Sequence, residues 1–235
     1  MTLMANHNTA HAIFNQLQNA PRSGGAGQLV LLSSASSGCG TSFIARSVAF
    51  AAAAHYASHG QRVLLLDYDL YKQSQLQAMM QMGPVNGPYD VSFGVTPYWQ
   101  VRAGILVDSP ELPAATYASL YLQDQSGLAV SVFRWDQIGT NQSVKVVPAP
   151  EYWMALRRNF AMVIIDGPAI DRTNMSAALY PQVDTTAIVV GAQSAGDPQT
   201  VQMAQDIQRY GGHFSGLIKN DFSHGSERIS GYGPQ

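Results

Sequence analysis

The sequence has few charged residues, one cysteine and no long apolar run. Charged residues make up 12% of the 235, and 15 acidic against 13 basic side chains give a formal net charge of −2. Without an excess of positive charge, the chain has no overall field to hold nucleic acid or an anionic membrane. One cysteine cannot form an internal disulfide, which fits a reducing compartment.

Membrane-crossing and secretory segments are also missing from the sequence. The most apolar helical candidate, 43–55, carries Arg46 and is shorter than the ~20 apolar residues that span a bilayer. The first residues, MTLMANHNTAHAIF, have neither the basic nor the apolar region of a secretory signal. These observations predict a soluble, cytoplasmic protein.

Short apolar runs alternate with longer helical stretches along most of the chain. The apolar runs predict strands at 28–32, 62–66, 161–165, 186–191 and 213–219. The longer stretches predict helices at 42–58, 70–82 and 198–210. Because the apolar runs are continuous rather than alternating, both faces of these strands are expected to be covered. The pattern predicts an α/β fold, with a doubly wound, mostly parallel sheet in three layers.

The middle of the chain is less regular than its flanks. It is rich in Gly, Pro and aromatic residues, and a short strand predicted at 144–147 leads into Pro-Ala-Pro. Since both flanks continue the same sheet pattern, we interpret 83–143 as an irregular insertion within one domain, 1–235. Residues 1–26 are predicted to form an N-terminal helix and lead-in, and the polar residues 221–235 a mobile tail.

A loop of small residues, SSASSGCGTS, follows the first predicted strand and precedes a long helix. The backbone N–H groups of such a loop can surround a phosphate. Gly38 and Gly40 permit close approach and a positive φ, and Ser42 stands where a P-loop hydroxyl binds Mg²⁺. The pattern G-x-x-x-x-G-K-[ST] is only half satisfied, because Ala35 replaces the first glycine and Thr41 the lysine. Alone, the loop fits a simple turn equally well.

Carboxylates follow two further strands. Asp67 and Asp69 come directly after RVLLL, and Asp166 comes directly after AMVII. A single Asp at a strand end is usually a turn residue or a helix cap. A phosphate loop and two sets of carboxylates at three strand ends instead favour a Mg-nucleotide site. We predict Ser42, Asp67 and Asp166 as Mg²⁺ ligands, and the three aspartates as the catalytic residues if the protein is an enzyme.

These motifs resemble the MinD/ParA superfamily of P-loop ATPases. The strongest likeness is to the cytoplasmic tyrosine-kinase domain of bacterial polysaccharide co-polymerases (BY-kinases, CpsD/CapB type). SSASSGCGTS resembles its Walker A motif, LLLDYDLY its Walker A′ and VIIDGPA its Walker B. The resemblance covers nearly the whole chain. It implies that ATP or ADP with Mg²⁺ binds at Gly38, Cys39, Gly40, Thr41 and Ser42. It also implies that Asn220 contacts the base.

Several positions that are basic in this family are uncharged here. Thr41 replaces the phosphate-binding lysine, Ser36 the signature lysine of the partition ATPases, and Tyr71 a common arginine. Lys72 is the nearest basic residue by sequence to these positions.

The resemblance also fails in the N-terminal helix and in the tail. The kinases carry an E-x-x-R-x-x-R oligomerisation motif in this helix, and Ala12, Asn15 and Gln18 stand in place of its charges. This does not favour ring formation, although another homo-oligomer stays open. The tail has one tyrosine, Tyr232, where the kinases carry a cluster of phosphoacceptors.

We therefore interpret the chain as a degenerate, catalytically inactive BY-kinase-like protein. The resemblance implies a cytoplasmic regulator of envelope polysaccharide biosynthesis and export (exopolysaccharide, capsule or adhesin). Its partner would be a membrane-bound polysaccharide co-polymerase or transport protein, and nucleic acid is not expected. Two alternatives stay open. One is an active tyrosine autokinase or ATPase that uses a substitute or partner-supplied cation. The other is a ParA/MinD-type positioning ATPase.

Overall fold

A computed structural model describes residues 2–22, 27–103, 117–191 and 196–220. The helices in these ranges are α1 (Thr2–Gln18), α2 (Thr41–Ala57), α3 (Gln75–Met82), α4 (Pro150–Asn159) and α5 (Pro198–Arg209). The first five strands are β1 (Gln28–Ser33), β2 (Val63–Asp67), β3 (Val85–Tyr89), β4 (Trp99–Ala103) and β5 (Ala118–Gln123). The others are β6 (Ala129–Phe133), β7 (Gln142–Val146), β8 (Met162–Asp166), β9 (Thr185–Gly191) and β10 (Phe214–Asn220).

Eight of the described strands form one sheet in the order β10-β9-β1-β8-β2-β6-β5-β3. Neighbouring strands from β10 to β6 are parallel, whereas β5 pairs antiparallel with both β6 and β3. Both faces of the sheet are covered. In β1, Leu29 and Leu31 pack into a core with α4 and α5, while Val30 and Leu32 pack into another with α1 and α2. The predicted doubly wound α/β fold is confirmed.

The middle of the chain differs from the irregular insertion expected over 83–143. There β3, β5 and β6 extend the main sheet, and β4 pairs antiparallel with β7 in a second, two-stranded sheet. The strand predicted at 144–147 is this β7. The sequence did not reveal the extension because these strands are short and partly exposed, and β3 contains Gly87 and Pro88. Residues 104–116 and the predicted tail lie outside the described part.

Two helices depart from the sequence prediction. α3 begins at Gln75 rather than near residue 70, because the chain first turns back so that Asp67 can accept two backbone N–H bonds from its start. α4 was not predicted, although it has Pro150 at its start, Glu151 in its first turn and two arginines in its last. These are ordinary signals of a helix start and end.

The N-terminal helix packs against the helix that follows the phosphate loop. Phe14 of α1 is buried and lies edge-on to Tyr56 of α2, with ring centroids 6.1 Å apart. Ala12 and Asn15, which replace charged positions of the kinases, are exposed. Among the described helices, none has the length and apolar character needed to cross a membrane.

Candidate functional site

The candidate site lies at the carboxyl ends of three neighbouring parallel strands. Asp67 is in register with Asp166 on the adjacent β8, and Asp166 is in register with Leu32 of β1. The small-residue loop follows β1 directly. In a parallel sheet the carboxyl ends of all strands meet at one edge, so the structure brings the predicted loop and carboxylates together.

Two glycines of the phosphate loop have a left-handed backbone conformation. Gly38 has φ 84° and Gly40 has φ 81°, a region that favours glycine. The amide nitrogen of Asn220, at the end of β10, donates a 2.9 Å hydrogen bond to the carbonyl of Cys39. A Cβ on Gly40 would lie 2.1 Å from that same nitrogen. In this structure, therefore, Asn220 braces the loop, and the predicted contact with a base stays a prediction.

The replacement Gly40→Ala tests this bracing. An alanine at positive φ is strained by about 1 kcal/mol, and displacing Asn220 would remove a hydrogen bond of about 1 kcal/mol. We expect a loss of roughly 2–3 kcal/mol in the free energy of unfolding, measured by urea denaturation. The matched control is Gly60→Ala, which has φ +65° but open space around its Cβ. Equal losses in the two variants would show that Asn220 does not brace the loop.

Gln75 is a buried residue of this site that the sequence analysis missed. Its side-chain nitrogen donates to a carboxylate oxygen of Asp166 at 2.6 Å and to the backbone carbonyl of Ser42 at 2.9 Å. Its oxygen accepts a 3.0 Å bond from Arg46 of α2. The hydroxyl of Ser42 lies close enough to Asp166 to lower the pKa of that carboxyl. Arg46 lies one helical turn beyond Ser42 on α2. This spacing was the one sequence signal that could have predicted that Arg46 lies near the site.

The two facing carboxylates share a buried position. Asp67 accepts backbone N–H bonds from Ser74 and Gln75 at 3.0 and 3.1 Å, both on Oδ2. Its Oδ1 is buried and has no hydrogen-bond partner among the described residues. Burial raises the pKa of Asp67, and the nearby charge of Asp166 raises it further. Burial also raises the pKa of Asp166, to about 6. The pair therefore favours a bound proton or cation.

These carboxylates fit a magnesium ion, because the unpartnered Oδ1 of Asp67 offers a free acceptor beside a second carboxylate. Within the described ranges no three His, Cys, Asp or Glu side chains converge as a metal site. Mg²⁺ does not require that, since it commonly takes one or two carboxylates, several waters and substrate phosphates. Asp67, Asp166 and the hydroxyl of Ser42 would hold it.

The loop itself offers a phosphate no charged side chain. Thr41, at the lysine position, is nearly fully buried and uncharged. Lys72 is exposed, and so is Tyr71, which stacks on Trp135 with centroids 5.2 Å apart. A cation that does reach the site is Arg172, which forms an ion pair with Asp69.

Asp171, the neighbour of Arg172, binds the phosphate loop. Its Oδ2 accepts the backbone N–H of Ser37 and its Oδ1 accepts the Ser37 hydroxyl, both at 2.7 Å. These bonds lower the pKa of Asp171, the backbone bond most strongly. Sequence reasoning missed both charged residues. They follow the Walker B-like VIIDGPA as an isolated Asp-Arg pair, and their contacts depend on how the loop after β8 folds back.

Comparison with known proteins finds relatives in structure only. No family model matches the sequence, and no curated protein matches it significantly. The VpsO kinase domain superposes with a TM-score of 0.61 at 18% identity, over 94% of this chain and 97% of that one. The kinase domain of Escherichia coli tyrosine kinase ETK superposes with a TM-score of 0.52 at 16% identity, over 89% of this chain and 73% of that one. The MinD cell division protein of Aquifex aeolicus superposes with a TM-score of 0.50 at 15% identity, over 83% of this chain and 70% of that one. At the level of fold, these likenesses confirm the resemblance to BY-kinase domains and to MinD.

Proposed function

Because the chain has the fold of BY-kinase domains and of MinD, we propose that it is a degenerate P-loop protein that regulates envelope polysaccharide biosynthesis and export. In this proposal it binds nucleotide weakly, does not catalyse phosphoryl transfer, and acts at the cytoplasmic face of the membrane. Its partner would be a membrane-bound polysaccharide co-polymerase or transport protein. The partner class comes from the motif resemblance, and the fold that the chain shares with two kinase domains is compatible with it.

The observation that supports this proposal most is the uncharged Thr41 in the lysine position of a loop whose Gly38 and Gly40 both have positive φ. Losing one group that stabilises transition-state charge typically costs about 10²–10³ in rate. The polar groups of the site are also engaged with one another. Gln75 bonds Asp166 and Ser42, while Asp171 bonds Ser37.

The remaining residues still have defined roles toward a ligand. The loop backbone would bind the phosphates, Asn220 would hold the loop, and Asp67 with Asp166 would hold Mg²⁺. When bound, Mg²⁺ would supply the positive charge that phosphates need. Weak nucleotide binding is thus compatible with this site, whereas fast phosphoryl transfer lacks its lysine.

Calorimetric titration of Mg-ADP tests the proposal. We expect millimolar or no measurable binding by the wild type. In Thr41→Lys, binding should be at least about tenfold tighter, since a hydrogen bond to a charged group is worth about 1.5–3 kcal/mol. Thr41→Met is the control, because it adds length without charge and should not gain affinity.

The outcome that would contradict the proposal is micromolar binding by the unmodified chain that Ser42→Ala weakens. The site would then be a working nucleotide site in spite of Thr41.

A second candidate is an active tyrosine autokinase or ATPase. It is favoured by the two arginines beside the carboxylates, Arg46 through Gln75 and Arg172 through Asp69, since either could serve as the substitute cation. Phosphate release or phosphotyrosine formation that is lost in Asp166→Asn would support it.

A further inference from the structure

The loop that follows β8 lies along the phosphate loop. The backbone N–H of Ile170 donates to the carbonyl of Ser34 at 3.0 Å. The hydroxyl of Ser33 donates to the carbonyl of Pro168 at 2.7 Å. These contacts place the next residue, Asp171, beside Ser37. The position of the Asp171 carboxylate is therefore fixed by its own loop as well as by the bonds it makes.

Asp171 offers the phosphate loop what a phosphate would offer. It presents two oxygens and one negative charge, and it takes one backbone N–H and one hydroxyl of Ser37 at the same time. Hydrogen bonds to a charged acceptor are shorter and roughly twice as strong as neutral ones. Both bonds here are 2.7 Å long, so these two donors are engaged before any ligand arrives.

Arg172 anchors the loop after β8 at a second point. Its ion pair with Asp69 ties the loop after β8 to the turn after β2, while Asp171 ties it to the loop after β1. Two consecutive side chains of opposite charge thus link all three strand ends of the candidate site. Arg172 forms its ion pair with Asp69, and its charge also lowers the pKa of the neighbouring Asp171 carboxylate, so Asp171 is held as an anion.

We propose that Asp171 is a specificity-determining residue of the phosphate loop: it acts as a resident anion on Ser37 and selects against the more negatively charged polyphosphates. This inference rests on the proposed nucleotide site. A nucleoside triphosphate carries one negative charge more than a diphosphate, and like charges at close range repel each other even at an exposed position such as that of Asp171. Asp171 therefore disfavours Mg-ATP more than Mg-ADP. The loop accepts a triphosphate well only when the Asp171 carboxylate leaves Ser37 or loses its charge.

The test compares the affinities for Mg-ADP and Mg-ATP with and without the charge of Asp171. Calorimetry is done on Thr41→Lys, where binding is expected to be measurable, and on Thr41→Lys with Asp171→Asn. The charge removal should tighten Mg-ATP about fivefold or more and Mg-ADP clearly less. Asp206→Asn is the matched control, since it removes a partly exposed carboxylate that pairs with Arg209 on α5, away from the loop, and it should change neither affinity.

A second variant distinguishes the effect of the Asp171 charge from the effect of a changed loop conformation. Ser37→Ala keeps the Asp171 carboxylate but removes the hydroxyl that holds it, so it should move the ratio of the two affinities in the same direction by a smaller factor. Equal tightening of both nucleotides, no change, or no binding to either lysine variant would overturn the inference. If the wild type binds in the micromolar range, the proposed function fails, but the ratio is then measured in Asp171→Asn alone.

Discussion

Replacing Asp184 by alanine is expected to lower the free energy of unfolding by about 3–5 kcal/mol, because it leaves a buried arginine without its counter-charge. Asp184 and Arg157 form an ion pair in which the two side chains are 0% and 4% exposed. Exposed ion pairs are typically worth at most about 1 kcal/mol. The Arg157–Asp184 pair differs because it is buried. In Asp184→Ala the guanidinium of Arg157 could neither reach water nor lose its proton.

The same pair positions the strand that leads into the phosphate loop. Asp184 accepts the backbone N–H of Leu29 at 2.7 Å, and Arg157 donates to the carbonyl of Gly27 at 3.1 Å. Both contacts lie at the start of β1, whose other end continues into the loop. Losing them is therefore expected to loosen the loop as well as to destabilise the fold.

Urea denaturation of Asp184→Ala measures this loss. The control is Asp206→Ala, which breaks a surface pair with Arg209 whose side chains are 30% and 65% exposed, and it should cost less than about 1 kcal/mol. A double variant, Asp184→Leu with Arg157→Met, removes both charges and should recover much of the stability. If Asp184→Ala were no more destabilising than Asp206→Ala, the buried pair would contribute no more than an exposed one.

The sequence predicted those parts of the fold whose signal is local. β1, β2, β8 and β9 are continuous apolar runs, and such runs indicate strands covered on both faces. The carboxyl ends of parallel strands meet at one edge. Because Asp67 and Asp166 each end such a run, their positions in the sequence are enough to predict that they lie beside the phosphate loop.

The parts that the sequence did not reveal depend on tertiary packing. β5 and β6 are short and each contains partly exposed residues, and the buried face of α4 contains Arg157, which a hydrophobic pattern does not select. Gln75 and Asp171 act through turns that fold back onto the site. No spacing rule predicts such contacts, because they are set by the path of a loop and not by a helix or strand period.

The three aspartates at the ends of β2 and β8 differ in how their negative charge is compensated. For one of them, the described residues supply no positive partner. Asp69 has Arg172 as an ion-pair partner, and Arg46 reaches Asp166 through Gln75. Among the described residues, Asp67 accepts neutral backbone N–H bonds on one oxygen and no hydrogen bond on the other. A bound proton or Mg²⁺ would remedy this deficit, and which of them does so depends on pH.

The wild type is therefore expected to lose stability as the pH rises through the titration of this pair. The pKa of Asp166 is raised from 3.8 to about 6 by burial, so between these values the folded state keeps a proton that the unfolded state has released. Folding is then linked to proton uptake, and stability falls as pH rises. This rise in the pKa of Asp166 corresponds to about 3 kcal/mol in the free energy of unfolding, and that contribution is lost once the pH is above about 6.

Asp166→Asn removes the titration of Asp166 and leaves Asp67 in place, so its stability relative to the wild type should improve by about 3 kcal/mol between about pH 4 and pH 7. Urea denaturation at intervals across that range measures the difference. Asp69→Asn is the control, because it removes a charge of the same site that already has an arginine partner, and it should show no such gain. Millimolar Mg²⁺ should stabilise the wild type at pH 7 and have little effect on Asp166→Asn. Parallel pH profiles for the wild type and Asp166→Asn would mean that the folded protein does not take up a proton at Asp166, and the magnesium fit would then rest on geometry alone.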